Sequence, residues 1–396
     1  TFKNIFKTRL EYRELKILDT LLINQEPENT VVGRLDYAAN WGDGFFTANT
    51  YYEIGTGLEQ KKEFVYIETL AGQGNFQWVD YNNDNVKDIN EFESAQFSDQ
   101  ANFIRIFTPS NEYIKTFNNQ FSFVTYLNPS AKWNDRKGIR KALSKLSNQS
   151  SVSTSRKTAG QFDSQQYNPF FTDVQDIALQ SLSSSLRNVF FINRTGSVFG
   201  SEYIFQNNSS KILLTSGFDS RDISSHELRT RFNFLKNYEL IISGVSEEKL
   251  NTSDYANNRS YDLDVKGITS KISYQPNSKF RVELNGHFLE KQNNLEFGGE
   301  YANNFSLGTA LKLNAQEKGL FVLDFNRVQN TFTGEINTPV EFEMLEGLKI
   351  GENYTWGASI QRKLSKTMQL TVNYNGRSTP NSSVIHFGGH SILNLT

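Results

Sequence analysis

A twelve-residue window, 80–91, has the residue types and the spacing of a calcium-binding loop. Oxygen-bearing side chains alternate along it in the order of an EF-hand loop, whose seventh position contributes a backbone carbonyl and whose last is a glutamate that can bind with both oxygens. The oxygens must alternate because the chain wraps around the ion. The sequence therefore predicts a Ca²⁺ site with six ligands: Asp80, Asn82, Asp84, Val86, Asp88 and Glu91.

Two positions of the window depart from the EF-hand pattern. The sixth is usually Gly because the backbone bends there in the left-handed region, and here it is Asn85, the next best residue for that bend. The eighth is Lys87, where paired EF-hands carry an apolar residue. We therefore expect a lone loop that braces its segment rather than half of a sensor pair. The alternative is an acidic turn without metal, in which Asx side chains bond the backbone.

No other pattern in the chain indicates chemistry. Cysteine is absent, which excludes disulfides and thiolate metal sites. No Gly-x-Ser-x-Gly elbow suggests a hydrolase. The 41 basic and 43 acidic residues are well mixed, so no basic face could neutralise a nucleic acid backbone. We predict no catalytic residue, no organic cofactor and no nucleic acid partner.

The element that organises the chain is a hairpin over residues 354–377. Its apolar side chains alternate strictly with polar ones, which indicates two antiparallel strands with one dry and one wet face. Aromatic residues near the ends of the dry face suit strands that cross a bilayer. The apolar set is Tyr354, Trp356, Ala358, Ile360, Leu364, Met368, Leu370, Val372 and Tyr374.

The same alternation recurs from Arg187 onward, with tight turns and long loops in turn. It predicts an all-β fold, a transmembrane antiparallel β-barrel of the outer-membrane type with roughly 14–20 strands. Barrel strands would span 1–68 and 111–396, and 69–110 would be an extra-membrane insertion that carries the calcium loop. Strands near the length that crosses a bilayer favour this interpretation over a water-soluble sandwich or solenoid.

Some finer expectations accompany the barrel. Predicted strands include 211–220, 228–236 and 338–349, and His226 and His287 are expected to face the lumen as polar residues. The chain opens at Thr1 without a signal peptide, so we expect either a mature protein or a fragment.

Two blocks of the sequence are similar to a known group of proteins. The first runs from Val31 through Ala71-Gly72-Gln73-Gly74 and the calcium window to Pro109. The second comprises 343–348, 351–356 and 373–377. Together they resemble the C-terminal portion of large, mostly uncharacterised outer-membrane proteins of Bacteroidota, especially the flavobacterial group. The resemblance implies an outer-membrane barrel with extra-membrane domains, in a family whose members are generally longer and end on an aromatic residue, whereas this chain ends on Thr396.

These observations predict a function class rather than a reaction. Our first hypothesis is a non-enzymatic barrel that serves as a scaffold or subunit of an envelope assembly, in protein secretion or outer-membrane biogenesis. Its partners would be the outer-membrane bilayer and other envelope proteins, with the long loops and the insertion at the cell surface. The alternative is a porin-like or substrate-specific transporter channel, and the second alternative is an outer-membrane hydrolase.

Overall fold

The structure, a computed structural model, describes most of the chain. The described residues are 2–15, 28–159, 167–170, 179–214, 217–254, 257–315, 319–365, 368–380 and 382–393. They form one antiparallel sheet of 18 strands. None of the described helices is long and apolar enough to cross a membrane.

Two of the strands, β4 and β5, have three residues each, and the other sixteen are long. The strands are β1 (Phe2–Leu15), β2 (Glu28–Trp41), β3 (Phe46–Glu68), β4 (Phe76–Trp78), β5 (Phe92–Ser94), β6 (Phe103–Leu127), β7 (Leu146–Ala159), β8 (Leu179–Ile192), β9 (Phe199–Leu214), β10 (Gly217–Phe234), β11 (Tyr238–Ser253), β12 (Tyr261–Asn277), β13 (Phe280–Asn293), β14 (Tyr301–Asn314), β15 (Gly319–Thr333), β16 (Gly351–Lys363), β17 (Met368–Thr379) and β18 (Ser382–Leu393). The helices are α1 (Ser130–Trp133), α2 (Ile139–Leu143) and α3 (Pro339–Met344).

Each long strand pairs antiparallel with the next long strand of the chain, from β1 to β18. The predicted all-β antiparallel architecture is therefore confirmed, and the strand number falls in the predicted range. Within the described ranges no backbone ladder joins β1 to β18, so closure of the sheet into a barrel stays a prediction.

The sheet has an apolar outer face and a polar inner face. In the predicted hairpin, Ile360 pairs with Val372 and Ala358 with Tyr374, so the two apolar rows meet as the alternation required. Large apolar side chains of the outer face are exposed from β10 to β16; among them are Leu228, Phe232, Ile242, Ile268, Leu284, Phe288, Phe305, Leu307, Leu323, Phe325 and Ile360.

Three predicted strand ranges were wrong. The sequence predicts separate strands over 211–220 and 228–236, but 211–214 belong to β9 and the single strand β10 runs from Gly217 to Phe234. Residues 338–349 form α3 and the turn after it, although their apolar and polar residues alternate. The reason is local, because the Thr338 side chain accepts a hydrogen bond from the amide of Glu341 at 3.1 Å and Pro339 occupies the first turn, which together start a helix.

The two lone histidines lie on opposite faces. His287 lies on the inner face of β13 together with Asn285 and Lys291, as predicted. The prediction was wrong for His226, which pairs with Phe205 on the outer face and contacts the hydroxyl of Tyr203 at 2.7 Å through Nδ1.

Most of the long connections lie at one end of the sheet, which we call the mouth; the exception is 128–145, which carries α1 and α2 at the other end. Those at the mouth are 69–102 between β3 and β6, 254–260 between β11 and β12, 294–300 between β13 and β14, and 334–350 between β15 and β16. We call 69–102 the insertion and 334–350 the inner loop. Since β6 begins at Phe103, the predicted 69–110 segment includes the start of that strand. Beyond their pairing with β2 and β7, strands β3 and β6 continue together as a two-stranded ribbon at the mouth.

The sheet curves around the insertion. In a flat sheet β6 and β12 would lie roughly 30 Å apart, since neighbouring strands are about 4.8 Å apart. Yet the insertion, which leads into β6, is hydrogen-bonded to Arg259 directly before β12 and to Arg377 of β17. The inner face is therefore concave, and the insertion lies across it at the mouth.

Candidate functional site: the insertion and the charged mouth

The insertion has a small aromatic core of its own. The ring of Phe92 in β5 stacks on Tyr66 of β3 at 4.0 Å between centroids and meets Phe103 of β6 edge-on at 5.0 Å. The guanidinium of Arg105 lies 5.2 Å from the ring centre of Phe76. These contacts fix the insertion to the ribbon, because offset and edge-to-face ring pairs are favourable beyond the area that they bury.

The first half of the predicted calcium loop is a series of side chain to backbone hydrogen bonds. The two carboxylate oxygens of Asp80 accept from the amides of Asp84 at 3.2 Å and Asn85 at 3.0 Å. The carboxylate of Asp84 accepts from the amide of Val86 at 2.7 Å. Asn85 has a φ of 59°, so the left-handed bend expected at the sixth position is confirmed.

The second half brings the chain back to the start of the window. The amide of Val79 donates to the carbonyl of Glu91 at 2.9 Å, which places the twelfth position beside the first. The Glu91 carboxylate is buried and accepts from the indole Nε1 of Trp78 at 2.8 Å. Asp88 is exposed. Within the described ranges no group of three acidic or histidine side chains is close enough to hold a metal ion.

An ion pair joins the insertion to the wall of the sheet near β12. Arg259 donates from Nη1 to the carbonyl of Phe92 at 2.8 Å and from Nη2 to the carboxylate of Glu93 at 2.9 Å. Only 18% and 12% of the two charged side chains is exposed. Tyr81, at the start of the loop, donates to the other oxygen of Glu93 at 3.3 Å. The calcium window and the wall therefore share one carboxylate.

A second ion pair joins the insertion to the wall at β17. Arg377 lies on the inner face of β17, and its Nη1 contacts Oδ2 of Asp99 at 2.6 Å. The guanidinium also lies 4.8 Å from the ring centre of Phe97. With Arg259 this gives the insertion two anchors on the concave face, one at the start of β12 and one on β17.

The inner loop is packed against the same wall. Its buried Val340, Met344 and Leu345 form one cluster with inner-face residues of β12 and β14. The ammonium of Lys291 donates to the carbonyl of Met344 and to the carboxylate of Glu346, both at 2.9 Å. The side-chain amide of Asn337 donates to the carbonyl of Tyr81 at 2.9 Å, so the inner loop also touches the insertion.

Two adjoining cavities lie between the insertion, the inner loop, the ribbon and the wall of the sheet. The ribbon cavity, about 460 Å³, lies between the ribbon with β4 and β5 and the mouth ends of β7–β11. The loop cavity, about 340 Å³, lies between the insertion, the inner loop and β10–β12. Both are lined by Ser94, Arg221, Asn251 and Arg259. These volumes are in the range of small-molecule sites.

Burial shifts the protonation of the groups around Glu93. Loss of solvent raises the pKa of Glu93 to about 7, although the adjacent Arg259 acts in the opposite direction. Burial also raises the pKa of the Tyr81 phenol, which therefore stays a hydrogen-bond donor. A carboxyl that titrates near neutral pH thus lies at the contact between the insertion and the wall.

Sequence reasoning found the acidic window but missed the residues that hold it. Arg221, Arg259 and Arg377 have no local pattern, because their partners lie elsewhere in the chain. For Arg377 the sequence did contain one indication: the alternation on β17 places this residue among the small polar residues of the inner face. A long charged side chain in such a row must reach toward something across the concave face.

No family model matches the chain, and no curated protein matches it. The resemblance to Bacteroidota outer-membrane proteins therefore stays a prediction.

Among solved structures, the chain is similar to the ferric-catecholate import receptor Fiu from E. coli K12, with 11% identity, 95% of this chain and 64% of that chain covered, and a TM-score of 0.35. It is also similar to OccK5 (OpdH) of Pseudomonas aeruginosa, with 8% identity, coverage of 99% and 96%, and a TM-score of 0.31. A third is the P. putida toluene transporter TodX, with 9% identity, coverage of 98% and 86%, and a TM-score of 0.25. The chain spans less than two thirds of the import receptor. These likenesses are too distant to assign a family or a substrate.

Proposed function

We propose that this chain is an outer-membrane β-barrel that transports small polar solutes through a mouth closed by its own insertion. The observation that carries the proposal is the combination of an apolar outer face with a polar, concave inner face. Leu284, Ile268 and Leu307 of the outer face are 56%, 61% and 50% exposed. A continuous exposed apolar surface of this kind is unfavourable in water, whereas lipid covers it.

The filled mouth favours a gated, substrate-specific channel over a constantly open pore. The insertion is held at two points, through Arg259 and Arg377, and the inner loop packs beside it. The spaces that remain are lined by charged and hydroxyl groups, which suit a polar solute. Transport would require at least one of the two anchors to release.

Conductance in planar bilayers tests this proposal. Wild-type protein should conduct weakly, and the double variant Arg259→Gln with Arg377→Gln should conduct at least several-fold more because both anchors of the insertion are lost. Lys266→Gln is the matched control, since Lys266 is exposed and lies 3.8 Å from Asp264 on the outer face. Inserted protein that stays silent in all three forms would contradict transport.

A scaffold in an envelope assembly, for protein secretion or outer-membrane biogenesis, is the second candidate. It is favoured by the rigid surface at the mouth, where the insertion, the ribbon and the inner loop are packed together. A barrel whose mouth never opens could serve as a platform for other envelope proteins. Purification in mild detergent should then yield stoichiometric partners, and a monomer with measurable conductance would speak against this candidate.

We further propose that one Ca²⁺ braces the insertion. Asp80, Asn82, Asp84, Asp88 and Glu91 would offer side-chain oxygens and Val86 its carbonyl, and the closed ends of the window bring the first and twelfth positions together. The ion would link the exposed half of the loop to the buried glutamate. We expect the mouth to face the cell surface, because long connections belong there.

We propose no catalytic role for the chain, and an outer-membrane hydrolase is the remaining alternative. That alternative would be supported by an esterase activity that is lost when one defined Ser–His pair is substituted.

A further inference from the structure

We propose that the ribbon cavity binds a small organic anion that carries hydroxyl groups, such as an acidic sugar. The inference rests on the proposed transport function for its biological meaning, since it names the substrate class of that channel. The binding itself can be measured separately.

The first observation is the charge of the lining. Arg105, Arg221 and Arg259 contribute three cationic side chains, and Asp219 is the one acidic residue of the lining among those that the structure describes. The ammonium of Lys211 lies instead on the outer face, 4.1 Å from the ring centre of Phe218. Several cationic groups in a cleft with low-dielectric walls raise the local concentration of anions. The ribbon cavity is therefore positive overall.

The second observation is that the pairing of these cations is uneven. Arg259 is fully engaged by Glu93 and Phe92. Arg221 reaches the carboxylate of Glu343 only at 3.8 Å, and 45% of its side chain is exposed.

Arg105 lies instead over the rings of Phe64, Phe76 and Phe107, 5.2–5.6 Å from their centres. Within the described ranges Arg105 has no ion pair. Arg105 and Arg221 can therefore gain a carboxylate partner without losing a close one.

The third observation is the row of hydroxyls on the wall. Six serines line the cavity, from β5 and from β7 to β10, and all but Ser220, whose hydroxyl bonds Thr252 on the outer face, can offer a hydroxyl to a ligand. Serine is small, so it leaves room between the strands, and its hydroxyl both donates and accepts. A ligand with several hydroxyls could satisfy these groups, whereas a purely apolar anion would leave them unpaired. The volume of about 460 Å³ suits a molecule of one or two sugar rings.

The test uses the full chain in detergent micelles and D-glucuronate as the probe, with D-glucose and D-glucosamine as neutral and cationic comparisons of the same size. Calorimetric titration at low salt should give a glucuronate affinity at least about tenfold above that for glucose, with glucosamine weaker still. Arg221→Gln and Arg105→Gln should each weaken glucuronate binding about fivefold or more. Arg221→Lys should retain part of the affinity, because it keeps the charge without the planar fork.

Lys266→Gln removes the same charge from the outer face and should leave binding unchanged. The proposal is overturned if folded wild-type protein binds the three sugars with equal affinity or does not bind glucuronate. It is also overturned if the Arg221 and Arg105 variants bind as well as wild type. Glucuronate binding without conductance would contradict the proposed transport function but support the anion site. Conductance without a preference for anions in the binding assay would contradict only the anion site.

Discussion

Arg259 and Glu93 lie 166 positions apart in the sequence, yet the guanidinium of one is 2.9 Å from the carboxylate of the other. The contact joins the connection between β11 and β12 to strand β5 of the insertion. Both charged groups are largely shielded from water, so each of them depends on the other for its stability when ionised. A buried carboxylate or guanidinium left alone would be strongly unfavourable.

Arg259→Gln should therefore loosen the insertion. At pH 8, where Glu93 is ionised, the substitution leaves the carboxylate buried without its cation, which should lower the stability of the docked insertion by about 3 kcal/mol. Limited proteolysis of the folded protein should show faster cleavage within 69–102. Lys266→Gln serves as the control because it breaks only an exposed pair on the outer face, and cleavage as slow as in wild type would contradict the role of Arg259.

The docking of the insertion should depend on pH. The pKa of Glu93 is about 7 in the folded chain, against an ordinary value of 4.5. Because the folded state then binds the proton more tightly, its contribution to stability is fully present below pH 4.5 and is lost as the pH rises through about 7. Hydrogen exchange of 69–102 should be slower at pH 5 than at pH 8. Glu93→Gln should flatten this difference, and an equal slope in that variant would assign the effect to another group.

Calcium should protect the insertion. Asp88→Asn removes one predicted ligand charge at an exposed position, so it should lower Ca²⁺ affinity about tenfold and leave the fold of the loop intact. The readout is protease resistance of 69–102 with Ca²⁺ and with chelator. Asp80→Ala together with Glu91→Ala should abolish the protection, although that double variant also removes the bonds of Asp80 to the loop backbone and of Glu91 to Trp78.

A control is needed because the two-residue variant disturbs structure as well as ligation. Asp264→Asn removes an exposed carboxylate on the outer face of β12 and should leave the calcium effect unchanged. Identical digestion of wild-type protein with Ca²⁺ and with chelator would contradict the proposal that Ca²⁺ braces the insertion, and it would favour an acidic turn without metal.

The regular part of this fold could be predicted from sequence because strand alternation is a local signal. The hairpin of β16 and β17 needs only a repeat of two residues and a turn, and its register places Ile360 against Val372 as expected. The 338–349 segment shows the limit of that signal. Its alternation is compatible with a strand, and the Thr338 cap with Pro339 determines the outcome.

The mouth could not be predicted in the same way. The acidic window is local, so its turn and the left-handed Asn85 were predictable. The contacts of Arg259 and Arg377 with the insertion cross the concave face, and they exist only once the sheet has curved. His226 illustrates the same point. Alternation predicts the wet face for a polar residue on a strand, whereas the Tyr203 hydroxyl gives His226 a partner on the apolar face.

The membrane assignment yields the most direct prediction, because it depends on which face meets lipid. Leu284 is 56% exposed on the outer face of β13, and Asn285, the next residue, lies on the inner face opposite Gly308. Leu284→Arg should lower the stability of the inserted protein by about 2–4 kcal/mol, the cost of a cation near the middle of a bilayer. Asn285→Arg adds the same side chain toward the polar interior and should be tolerated. Urea titration in lipid vesicles measures both, and equal losses for the two variants would mean that water or protein, rather than lipid, covers the outer face.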